Sequence, residues 1–315
     1  MLNTIYRLVA PRRFEIAFGN LDLKSDSILV RPTYLSICNA DQRYYQGIRD
    51  PIVLKEKLPM ALIHEGIGET IYDPTNTFTV GQSVIMIPNI PKQEDTIVSE
   101  NYLTSSIFCS SGHDGFLQDY ILTKKDRLIY LPEEIHRGVA SFTELVSVSL
   151  HTITRLINFS HKRRNIIGVW GDGNLGYITA LLLKYLIPGV KIIVIGKTSE
   201  KLSNFTFADR CYFESDLPED MMVDHAVECV GGMYAEKAIN QIIQHIQPEG
   251  TIALLGVSEM KSGIHTRMIL EKGLRLFGSS RSGRQDFIRT MEIYKQYPAI
   301  LEYLEILVNE IIPIN

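Results

Sequence analysis

The chain has 315 residues, of which 45% are hydrophobic and 22% charged, a composition suited to two globular domains. Its 32 basic and 36 acidic side chains leave a net charge of −4, which provides no whole-protein field to attract nucleic acid or an anionic membrane. The longest apolar region, 178–196, is broken by Lys184, Pro188 and Lys191, and the N-terminal MLNTIYRLVAPRRF lacks the form of a signal peptide. Four scattered cysteines argue against a disulfide framework, so a cytoplasmic protein is expected.

In chain order, the first half reads as short strands and turns. SILVRPTYLSIC, HEGIGETIYD and GQSVIMIPN carry alternating or β-branched runs closed by Gly, Pro, Asn or Asp. This pattern predicts a compact, mostly β domain over 1–147. ELVSVSLHTITRLINF then sets Leu145, Val148, Ile153, Leu156 and Ile157 mostly at helical spacing and leads into a second domain over 148–284. There NIIGVW, KIIVIG, RCYF, DHAVECV, GTIALLG and LRLFGSS alternate with helical stretches. Six strands joined in this way predict an α/β, doubly wound parallel sheet, because parallel neighbours need crossover helices. The tail, 285–315, reads helical and is expected to return to the first domain.

Gly171, Gly173 and Gly176, with Asn174 and Leu175 between them, give GxGxxG spacing directly after an apolar strand and directly before a helix. The first glycine permits the tight turn, the second lets backbone approach a pyrophosphate, and the third lets helix pack on strand. The helix N-terminus adds free N–H groups and partial positive charge. An NAD site places Asp or Glu about 20 residues further on to hold the ribose hydroxyls. This chain has Gly196 and Lys197 there, followed by Thr198 and Lys201. A cationic slot of this kind attracts a 2′-phosphate, so NADPH is the expected cofactor.

Cys38, His64, Glu65 and Glu144 offer thiolate, imidazole and carboxylate, donors that together suit zinc. Spacing alone does not assemble them. The ordered pieces CNAD, HEGIGE, the glycine loop and ECVGG resemble the zinc-dependent medium-chain alcohol and polyol dehydrogenases over nearly the whole chain. LVAPRRFE, VRPTYLSICNADQRYY, LPMALIHEG, SSGHDGF, WGDGNLGYITA and FGSSRSG resemble the bacterial ribulose-5-phosphate reductase family within that superfamily. The resemblance implies a GroES-like catalytic domain beside a Rossmann domain, and a homodimer. It implies one catalytic zinc on Cys38 and His64, with Glu65 and Glu144 both open as the carboxylate ligand.

It further implies NADPH-dependent reduction of ribulose 5-phosphate to ribitol 5-phosphate for teichoic acid or capsule, with a ribitol-5-phosphate cytidylyltransferase as a partner. The alternatives are an NAD-dependent polyol dehydrogenase and a non-catalytic NADP-binding sensor or scaffold. The sequence departs from the superfamily pattern in three places. Residues 86–112 hold only Cys109, so a second zinc is not expected. Ala40 stands where relatives carry a proton-relaying Ser or Thr, which leaves Glu65 or Tyr44 to pass the proton. The chain ends at Asn315, ahead of a last strand and helix, so a truncated or divergent end is expected. Arg43 is the first choice for the substrate phosphate, since a guanidinium can grip it with two hydrogen bonds.

Overall fold

A computed structural model describes residues 1–314, which form two compact units. One comprises Met1–Ser147 with the chain from Arg281 onward, and the other Val148–Ser280.

The first unit is built on antiparallel strands. Its five-stranded sheet runs Leu128–Tyr130, Ser83–Met86, Glu65–Tyr72, Ser27–Ser36, Ile121–Lys124 in spatial order. A three-stranded sheet places Leu2–Ala10 between Arg13–Asn20 and Met60–Ala61. Alternation along these strands sends Leu8, Ile28, Val30, Val84, Met86 and Leu128 into one shared core. The register that matters for the site puts Ser36 opposite Glu65. The segment leaving the first strand is thereby brought beside the residue that opens the second. The tail forms two helices, Arg284–Gln296 and Ala299–Glu305. They are separated at Tyr297 and Pro298 because proline has no N–H to continue the first helix. The Arg284 N–H donates to Glu100 Oε1 at 2.6 Å, and Arg127 Nη1 reaches the same oxygen at 2.9 Å.

The second unit is a six-stranded, wholly parallel sheet. Its order is Arg210–Phe213, Lys191–Gly196, Ile166–Trp170, Val223–Glu228, Ile246–Leu254, Arg275–Gly278. Its inner strands are buried almost end to end, which explains why Ile166–Trp170 and Lys191–Gly196 read as continuous apolar runs rather than alternating ones. Helix Asn174–Leu186 packs on the two strands that flank its connection, and Ala235–His245 packs on Val223–Glu228. Strand order reverses at Ile166–Trp170, so the loop after that strand opens at the point where α/β sheets bind ligands. No helix among the described residues is long and apolar enough to cross a membrane.

Candidate active site

Three elements of the first unit bring the metal-type donors together. Cys38 follows strand Ser27–Ser36 and caps helix Asn39–Gln46. His64 and Glu65 stand at the start of strand Glu65–Tyr72. Ile63, just before them, has a φ of 74°, a left-handed conformation that costs a β-branched residue about 1–3 kcal/mol. Its neighbours hold it there: its N–H donates to Asp41 Oδ1 at 2.9 Å and its carbonyl accepts the Phe116 N–H at 2.6 Å. This turn points His64 back toward Cys38. One ligand atom from each of Cys38, His64 and Glu65 then lies within 4.8 Å of the others.

The donor set fits zinc. Glu65 Oε1 is buried without a hydrogen-bond partner, 4.0 Å from His64 Nε2, and a buried carboxylate oxygen of this kind calls for a cation. The electrostatics agree. Burial, and then the charge of Glu65, push the Cys38 thiol up to about 12. Burial, and then Glu144, raise the Glu65 carboxyl, and Glu144 is itself raised by burial. Burial works against a charged His64, but hydrogen bonding to Asp41 and Cys38 outweighs it and holds the imidazole well above its ordinary value. The pocket is short of positive charge. Glu144 is buried at the head of helix Thr143–Phe159 and acts on Glu65 electrostatically, outside the three-residue cluster.

Asp41 is the site residue that the sequence reading missed. It is buried, lies 3.5 Å from His64 Nδ1, and accepts hydrogen bonds from Ile63 N, from Ser110 Oγ at 2.6 Å and from Cys38 N at 3.3 Å. Burial alone would raise its carboxyl, yet His64, Ser110 and Ile63 together hold it below the usual range. It lies on the Nδ1 side of His64, with Nε2 turned toward Glu65. The available signal was its place three residues after Cys38, the spacing at which a first-turn acid reaches back to a helix cap.

Tyr44 is buried in the first-unit core with the Arg49 guanidinium 4.5 Å from its ring centroid. Arg43, one residue earlier, is half-buried in the last turn of the same helix. Arg281 sits over Phe108 at 4.5 Å, and the Phe108 ring lies 5.5 Å from that of His64.

In the second unit, Gly171 has a φ of 124°, and a Cβ on Gly176 would fall 1.9 Å from the Gly171 carbonyl oxygen. Both positions therefore require glycine. Gly173 caps helix Asn174–Leu186 with nothing near its missing Cβ, so the backbone there can be approached closely. Asn174 is exposed and Leu175 half-buried at the helix start. Lys197, Thr198 and Lys201 are exposed beyond the second strand. The Lys197 ammonium lies 3.3 Å from the Tyr234 ring centroid and 3.5 Å from Glu214 Oε1.

Comparison with known proteins places this geometry. Residues 24–133 match the alcohol dehydrogenase GroES-like domain and residues 175–296 the zinc-binding dehydrogenase domain. The chain belongs to the zinc-binding alcohol dehydrogenase family, as the ordered sequence motifs indicate. Within it, the chain is 53% identical to ribulose-5-phosphate reductase of Bacillus spizizenii, over 100% of this chain and 92% of the relative. It is 54% identical to ribulose-5-phosphate reductase 1 of Staphylococcus aureus, over 98% and 90%. The crystal structure of S. aureus TarJ in complex with NADPH superposes with a TM-score of 0.85 at 49% identity, covering 98% of this chain and 89% of that one.

Proposed function

We propose that the chain reduces the ketone of ribulose 5-phosphate to the secondary alcohol of ribitol 5-phosphate, with NADPH and one zinc. The observation that carries this reading is the convergence of Cys38, His64 and Glu65, in a chain about half identical to two ribulose-5-phosphate reductases. When bound, the zinc supplies Lewis acidity toward the keto oxygen and NADPH supplies the hydride. Cys38 and His64 would hold the metal with Glu65, and Glu144 is the acid that would exchange with Glu65 as ligand or neighbour. Asp41 keeps the imidazole turned for this task. The reaction also consumes a proton, which Glu65, when Glu144 takes its place as ligand, or the Tyr44 hydroxyl would pass on from solvent in place of the hydroxyl that Ala40 lacks.

The substrate phosphate is assigned to Arg43. The backbone of Gly171, Gly173, Asn174, Leu175 and Gly176 would hold the pyrophosphate of the cofactor, and Lys197, Thr198 and Lys201 its 2′-phosphate. We extend the reading to a homodimer in the cytoplasm, where the four free cysteines stay reduced. Its product goes to a cytidylyltransferase serving wall teichoic acid or capsule.

The test is NADPH oxidation with ribulose 5-phosphate before and after chelation, paired with elemental analysis. Activity lost with about one zinc per chain and restored by zinc is expected. Full activity in metal-free protein, or turnover only with unphosphorylated pentulose, refutes the reading.

A further inference from the structure

The loop that follows Lys191–Gly196 is held by a residue of the glycine loop, which leaves the neighbouring strand Ile166–Trp170. Asp172 Oδ2 accepts the backbone N–H of Lys197 at 2.8 Å and of Thr198 at 2.7 Å. A Cβ on Gly196 would meet Asp172 Cβ at 2.6 Å and Oδ2 at 2.8 Å, and also the Leu202 Cδ2 methyl at 2.8 Å. The Asp172 side chain therefore fills the space that a side chain at 196 would need. An acid at the usual ribose-binding slot is excluded by packing, and the nearby carboxylate is already engaged by two main-chain donors.

The consequence reaches the side chains. With both N–H groups committed to Asp172, what these two residues have left to meet a phosphate is the Lys197 ammonium and the Thr198 hydroxyl, beside the exposed Lys201. The Lys197 ammonium is set against the face of Tyr234 and the Glu214 carboxylate, which Lys237 also pairs at 3.0 Å. The Lys197 side chain is 40% exposed, so it remains reachable.

We propose that Asp172 is a specificity-determining positioning residue, which fixes the Lys197–Thr198 turn so that these two side chains receive the 2′-phosphate of the cofactor. The proposal rests on NADPH being the cofactor. Two substitutions separate geometry from charge. Asp172→Ala removes the acceptor, whereas Asp172→Asn keeps an amide oxygen that can accept both N–H groups. Gly196→Ala leaves every polar group in place but drives a methyl into the Asp172 side chain.

The experiment is titration of the zinc-loaded full chain with NADPH and with NADH for the parent and each variant, alongside thermal unfolding. Asp172→Ala is expected to weaken NADPH on the order of tenfold while NADH changes less than about twofold. Gly196→Ala should reproduce that loss, and Asp172→Asn should keep the parent ratio. Should Asp172→Ala fail to fold, Gly196→Ala gives the reading alone. Equal weakening of both nucleotides, an unchanged ratio in Asp172→Ala and Gly196→Ala, or a ratio lost as fully in Asp172→Asn as in Asp172→Ala overturns the proposal. A parent protein that binds both nucleotides equally instead shows that the NADPH assignment itself is wrong.

Discussion

Replacing Asp41 by Asn tests whether the metal pocket depends on a residue that does not belong to the ligand set. One carboxylate oxygen serves Ile63 N at 2.9 Å and Ser110 Oγ at 2.6 Å, and the amide oxygen of Asn can take that place. The other oxygen faces His64 Nδ1 at 3.5 Å and Cys38 N at 3.3 Å. An NH₂ group in that position opposes the Cys38 N–H and turns a donor, rather than an acceptor, toward Nδ1. The imidazole proton is then forced onto Nε2, the nitrogen turned to Glu65, and a protonated nitrogen cannot ligate a metal. Loss of an outer partner of this kind costs about 10–100-fold in metal affinity, or about 1.4–2.7 kcal/mol. The assay is zinc competition against a chromophoric chelator, with thermal unfolding of the metal-free protein as a control. A zinc affinity within about twofold of the parent would refute the tautomer argument.

Two further outcomes are expected. His225 is buried in strand Val223–Glu228, where its Nδ1 accepts the Thr251 N–H at 3.1 Å and its Nε2 lies 3.0 Å from the Arg163 carbonyl. Burial, and then the neighbouring His161, lower it to about 4 from an ordinary 6.5. The unfolded chain therefore takes up this proton more readily than the folded one. The associated stability is complete above the ordinary value and is lost as pH falls from there through about 4, by at most about 3 kcal/mol. Thermal unfolding across that window should fall less steeply in His225→Gln, and identical slopes would count against the assignment. Gly176→Ala sets a methyl 1.9 Å from a backbone oxygen that cannot rotate away, so helix Asn174–Leu186 must shift from its strand. A stability loss of about 1–3 kcal/mol with weaker NADPH binding is expected, and a variant with parent stability and affinity would contradict the packing argument.

The sequence alone determined features that arise from neighbours along the chain. KIIVIG and NIIGVW are apolar because both faces of a parallel strand are covered, and this shows in composition without any knowledge of partners. The glycine loop is likewise local, since turn, helix start and close packing fall within six residues. Cys38, His64 and Glu65 were named from motif resemblance. Only the fold supplied a reason for them to meet, namely the pairing of Ser36 with Glu65 and the left-handed turn at Ile63. The contact of Asp41 with His64 spans 23 positions and that of Asp172 with Lys197 spans 25, so neither pairing is visible along the chain, although the place of Asp41 three residues after Cys38 is. Even Gly196, legible as a missing acid, acquired its cause only when the side chain filling its space was located. Local pattern records which surface a residue must bury, whereas the partner it meets depends on how distant segments close together, which the tertiary structure decides.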